Sequence, residues 1–234
     1  STREANAPIE TYYGYRYFNS GILTRPFGPD NANIETYSLI FDTPGVYEYL
    51  CLIHPFMTGT VEVMPVDSSG LPSKEELDLQ GEKEIDVMMG QVEGVIRSSQ
   101  ILRKEHGPDE STVWHVQVGA RRGSFEVQLL QFSPKDLTVQ AGDTVVFTSA
   151  TFHNVTFHPG QPPPAFEVLD YTSQGSARLI VNPRVAFPSK TSGEFDGTGF
   201  FTSGLIGPGY LPGGTTFTMN FAKPGVYHLS LIHI

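Results

Sequence analysis

Apolar and polar positions alternate over short runs through most of this chain. Trp114, Val116 and Val118 alternate with His115 and Gln117, and Phe125, Val127 and Leu129 alternate with Glu126 and Gln128. A period of two marks a half-buried β-strand. Residues 132–150 predict a strand, a turn at Ala141-Gly142-Asp143 and a second strand. The PGQPPP run at 159–164 is a rigid loop that its prolines keep out of a sheet. From Pro183 to Gly214, Gly, Pro, Ser and aromatic residues predict long loops with one short strand near Phe200. One segment breaks the pattern. Ile85, Met88, Met89, Val92, Val95 and Ile96 recur at helical spacing, giving one apolar face. Ser73 and Glu76 fit a capping box at its start. Gly81, Gly90 and Gly94 weaken this helix, by about 1 kcal/mol each relative to Ala. The Met88-Met89 pair is read as packing rather than as metal ligation.

The chain also resembles itself. FNSGIL at 18–23 matches FTSGLI at 201–206, and TYSLIFDTPGVY at 36–47 matches TFTMNFAKPGVY at 216–227. The order is the same, and the second block starts 18 residues after the first in one copy and 15 in the other. This predicts two copies of one domain type. Strand-like sequence precedes the second copy's blocks from Thr112 onward, whereas the first copy has only seventeen residues before Phe18. Residues 1–66 are therefore expected to be the C-terminal half of a first domain. Residues 67–110 are expected to be a helical connector, and 111–234 a second domain that stops before its last loop. The fold class expected is all-β: two Greek-key β-sandwiches, the first incomplete, joined by a helix.

Composition agrees with that class. Of 234 residues, 24 are Gly and 18 Pro, aromatics make up 12% and charged residues only 17%, which favours many turns and few exposed helices. The net charge of −10 argues against a nucleic-acid surface, which needs clustered Lys and Arg. Residues 67–110 hold 11 acidic and 5 basic side chains, so most of this charge belongs to the connector. No apolar run reaches the ~18 residues of a membrane span. A single cysteine excludes an intrachain disulfide but is compatible with an oxidising compartment if a metal holds the thiolate.

That cysteine lies in the strongest local motif, YEYLCLIHPFMTGTVEV at 47–63. Cys51, His54 and Met57 have the spacing C-x2-H-x2-M on a short loop between two strand signatures. Thiolate, imidazole and thioether form a soft ligand set. With one more imidazole they make the trigonal His2Cys plane and weak axial Met of a blue-copper electron-transfer centre.

The motif resembles the cupredoxins, the blue-copper family of plastocyanin, pseudoazurin and amicyanin, and its short His-Pro-Phe-Met spacing is amicyanin-like. The resemblance covers 18–66 and about 112–228. It implies Cys51 as the thiolate ligand, His54 as an imidazole and Met57 as the axial ligand. AGDTVVFTSATFHNVTFHPG resembles the family's strand pair that carries the first histidine, which implies His153 as a ligand in the second copy. His158, His115, His106 and His228 receive no ligand role. Sites of this family are built within one domain, so His153 and the Cys51 set are expected in different sites. In the second copy Ser230 stands at the cysteine position and His233 at the loop histidine, a departure that speaks against a complete site there. LSLIHI at 229–234 is also the translation of a common sequencing-transposon end. A reading frame interrupted at both ends is therefore expected.

The function implied is that of a periplasmic or extracellular carrier using type 1 copper, Cu(I)/Cu(II), with a redox protein as its partner, no nucleic acid and no membrane span in this chain. Two alternatives stand beside it: a fragment of a multidomain copper oxidoreductase, of the multicopper oxidase or nitrite reductase type, and a cupredoxin-like module without metal. The enzymes use His-x-His pairs, and none occurs here. A carrier is therefore expected rather than an enzyme.

Overall fold

The structure, a computed structural model, describes residues 9–21, 23, 36–52, 54, 57–99, 103–121, 127–158, 160–171, 177–190, 192–209 and 211–231. The chain divides into two compact units, Ser1–Gln80 and Gly81–Ile234. The fold is all-β apart from two helices. Among the described residues, no helix is long and apolar enough to cross a membrane.

The first unit holds β1 (Glu10–Tyr12), β2 (Leu39–Phe41), β3 (Gly45–Leu50) and β4 (Thr58–Val63). β1 and β2 pair in parallel, and β3 and β4 form an antiparallel hairpin from Gly45↔Val63 to Leu50↔Thr58. Rings hold these pieces together: Tyr12 lies 6.0 Å from Phe41 and 5.6 Å from Tyr47. None of the unit's described residues is fully buried. Val46, Tyr49, Leu50 and Met57 of the hairpin are exposed.

Helix α1 (Lys74–Ser99) starts at the predicted capping box. The Ser73 N–H donates to Glu76 Oε2 at 2.8 Å, and the Glu76 N–H donates to Ser73 Oγ at 3.2 Å. These bonds hold the Glu76 carboxyl below its ordinary range. The expected apolar face is only partly used. Val95 is buried against Ala120 and Val127, with Val92 beside them, but Ile85, Met88 and Met89 are exposed. The expectation that the Met pair packs is therefore corrected: periodicity defines a stripe but not what covers it.

The remaining strands are β5 (Arg103–His106), β6 (Thr112–Arg121), β7 (Gln128–Ser133), β8 (Thr144–Ser149), β9 (Thr156–Phe157), β10 (Glu167–Tyr171) and β11 (Ala177–Val181). After the short helix α2 (Pro183–Ala186) come β12 (Ser192–Glu194), β13 (Phe201–Thr202), β14 (Thr216–Asn220) and β15 (Leu229–Ser230). One sheet runs β12-β14-β8-β6-β5, with β7 also paired to β6, and a second runs β13-β9-β15. Between them lie Val118, Phe147, Phe157, Ile206, Phe217 and Met219, all buried. The Val116/Val118 alternation is as predicted, and Phe125 lies outside the described residues. The Pro183–Gly214 stretch carries more structure than expected, α2 and β12 as well as β13. Asn182 caps α2 by accepting the Arg184 N–H at 3.0 Å. His106 lies in β5 opposite Thr112.

The two PGVY blocks share one tyrosine contact, although Gly45–Leu50 is a strand and 224–228 are not. Tyr47 Oη donates to the Thr43 carbonyl at 2.5 Å, and Tyr227 Oη donates to the Lys223 carbonyl at 2.6 Å. Tyr47 packs 5.0 Å from Phe41, and Tyr227 packs 4.8 Å from Phe221, the ring six residues earlier in each case. The hydroxyl bond closes the turn. Tyr227→Phe is expected to keep the ring packing and cost about 0.5–1 kcal/mol in urea unfolding.

Candidate metal centre

β3 ends at Leu50 and β4 begins at Thr58, and these two residues pair. That pair closes the loop holding Cys51, His54 and Met57, so hairpin register rather than distant packing brings their backbones together. Backbone bonds fix the loop ends: the Cys51 N–H donates to the Met57 carbonyl at 2.9 Å, and the Met57 N–H donates to the His54 carbonyl at 2.8 Å. Ile53, Pro55 and Phe56 lie outside the described residues.

Within this frame the His54 N–H points at Cys51 Sγ, 3.4 Å away, and His54 Nδ1 lies 3.7 Å from the same sulfur. An N–H directed at sulfur supports negative charge there. The sulfur–nitrogen separation is shorter than a metal–thiolate and a metal–imidazole bond laid end to end, about 2.3 and 2.0 Å. One soft ion therefore fits both donors. Cys51 and His54 are half-buried, whereas Met57 is 67% exposed. Among the described residues, no group of three or more His, Cys, Asp or Glu side chains could hold a metal ion. The loop offers two such groups and a thioether.

His153 belongs to the second unit. Its backbone forms a bridge with Ile206: the His153 N–H donates to Ile206 O at 3.1 Å, and the Ile206 N–H donates to His153 O at 2.8 Å. The imidazole is fully buried. Gly119 makes room for it, at the register shift where β6 bulges against β7. Its φ is +65°, and a Cβ there would lie 2.1 Å from His153 Nε2. Gly119→Ala is expected to destabilise this unit by about 2–4 kcal/mol, through backbone strain and displacement of a buried ring. Chemical unfolding followed by Trp114 emission measures it. Sequence reasoning missed Gly119, although a lone Gly within a strand pattern is a signal for a bulge or close approach.

The other described histidines have local partners or are exposed. His158 Nδ1 lies 2.8 Å from the Gln161 carbonyl, and His115 Nε2 lies 3.4 Å from Glu105 Oε1. His228 is exposed. Ser230 of β15 pairs with Thr156, and His233 lies outside the described residues.

Comparison with known proteins gives a partial likeness. A 36-residue stretch is 50% identical to Amicyanin-alpha of Methylorubrum extorquens. It covers 15% of this chain and 30% of that protein, so the match spans less than a third of its relative's length. No family model matches the chain, and no solved structure matches it.

Proposed function

We propose that this chain is a cupredoxin-like, copper-binding electron-transfer protein whose donor loop is Cys51, His54 and Met57. The observation that carries the reading is the 3.7 Å approach of His54 Nδ1 to Cys51 Sγ on a loop that also ends in Met57. The partial likeness to amicyanin supports it. Bound copper would supply a one-electron Cu(I)/Cu(II) couple. The chain supplies the rest. Cys51 contributes the thiolate, the His54 N–H stabilises charge on that sulfur, and the two backbone bonds hold the donors through a change of ion charge. Exposed Met57, Tyr49 and Leu50 mark the loop as the face a redox protein would approach.

We further propose that residues 1–66 and 111–234 are related domains joined by the acidic segment 67–110, and that His153 is a copper ligand of the second. The tyrosine contact common to the two PGVY turns supports the first part. The buried, bulge-accommodated imidazole supports the second. A periplasmic or extracellular location suits such a carrier. The test is anaerobic titration of the chain with Cu(I), followed by stepwise oxidation. A saturable site with reversible one-electron behaviour supports the proposal. Copper that is removed by a weak chelator and never oxidises reversibly rejects it.

A further inference from the structure

Gly59 lies inside β4, opposite Tyr49 of β3. A glycine in a strand interior weakens the strand and marks a place where another group comes close. Its backbone does not demand glycine, because Gly59 has no positive φ. What occupies the side-chain position is the Tyr49 ring. A Cβ on Gly59 would lie 2.9 Å from Tyr49 Cε1 and nearer still to Cζ and Oη. The other end of the hairpin is different: a Cβ on Gly45 would meet the Tyr47 ring at 3.5 Å, an ordinary contact. The Tyr49 ring thus crosses from β3 and rests on bare β4 backbone. This pair is one step behind Leu50–Thr58, which closes the donor loop. Beyond it the ladder continues through one bond, from the Cys51 N–H to the Met57 carbonyl. Side chains alternate along paired strands, so residues 49, 51, 57 and 59 share one face. The ring therefore stands behind Cys51 and Met57 on their own face.

We propose that Tyr49 and Gly59 form a ring-on-glycine clasp that positions the two ends of the donor loop. Tyr49 is then a positioning residue for the centre, which rests on the reading of this loop as a copper site; it acts through Cys51 and Met57 and ligates nothing itself. Directly opposed side chains are the unit that stabilises a paired sheet, and an aromatic ring laid over a cross-strand glycine covers backbone that the glycine leaves bare. Here that contact falls at the last full pair but one before the loop, so it restrains the spacing and twist from which the loop departs. Two strands alone twist strongly and are marginal in water. Without the ring, the single Cys51–Met57 backbone bond would carry that restraint. Sequence spacing selects Cys51, His54 and Met57 but passes over Gly59, because a glycine two residues past Met57 reads as loop until its partner is known.

The experiment compares the full chain with Gly59→Ala, Tyr49→Ala and Tyr49→Phe. Gly59→Ala keeps the tyrosine but displaces its ring, and the atoms met are the outer end of a side chain that can swing aside. Amide hydrogen exchange by NMR, without copper, should be faster at Cys51 and Met57 by about tenfold in Gly59→Ala and in Tyr49→Ala. Exchange at the Gly45–Val63 end should change by less than about twofold, and Tyr49→Phe should match the native chain throughout. With copper bound, the thiolate-to-copper band and the reduction potential should shift in the two ring-displaced variants and stay native in Tyr49→Phe. Equal exchange at Cys51 and Met57 in all four proteins overturns the proposal. So does equal fraying at both ends of the hairpin, which would make the ring a general strand stabiliser, and so does a Tyr49→Phe that behaves as Tyr49→Ala. A native band and potential in Gly59→Ala also overturn it. A native chain that binds no copper rejects the copper reading instead, and exchange at the two amides then decides the clasp by itself.

Discussion

Cys51→Ser is expected to abolish the thiolate-to-copper absorption near about 600 nm that copper loading should give the native chain. The assignment is unusually direct, because the chain has one cysteine and no other residue can supply the band. A serine oxygen is a hard, weakly acidic donor and does not replace a thiolate at a soft site. The substitution also removes the acceptor of the His54 N–H. Met57→Leu separates the roles. A weak axial donor tunes the potential, so this variant should keep the band and raise the potential, while His54→Ala should lower copper affinity by more than about tenfold. Optical titration and voltammetry read both. A band that survives Cys51→Ser removes this loop from the centre. The fold controls the comparison: none of the described residues of the first unit is fully buried, so none of these changes opens a core cavity.

The sequence made the loop legible because its spacing is local. A hairpin whose strands end at Leu50 and Thr58 must bring residues 51 and 57 together, and alternation around PGVY and TVEV announces both strands. The Ser73/Glu76 cap was legible for the same reason, since both partners lie within one turn. The rest depends on distant contacts. Gly119 makes sense only once His153, 34 positions later, is packed against it. The stripe through Met88 and Met89 satisfied helical periodicity, but among the described residues it is Val92 and Val95, at its end, that join a buried cluster. The repeat was visible as letters. That both tyrosines bond the carbonyl four residues back required coordinates.

The second large effect is expected at Asp143. This carboxylate is only 5% exposed. It accepts three bonds: the Thr112 N–H to Oδ1 at 2.8 Å, the Trp114 indole N–H to Oδ2 at 2.9 Å and the Gln140 N–H to Oδ2 at 3.0 Å. It thereby ties the turn before β8 to the first residues of β6. Burial pushes its pKa up, but the three donors outweigh burial and hold it below the ordinary carboxylate value. A depressed folded pKa contributes stability that is fully present above the unfolded value, about 3.9. That contribution is lost as pH falls through the folded pKa. Asp143→Asn removes the charge and turns an amide N–H₂ toward groups that are themselves donors. It should cost about 2–4 kcal/mol near neutral pH. Trp114 is the chain's single tryptophan and bonds this carboxylate, so its emission reports the site directly. Urea unfolding of both proteins should show the difference narrowing as the pH falls below about 4, because the native chain then loses the charge that the variant never had. A difference that stays constant down to the acid limit would assign the effect to shape rather than to the carboxylate.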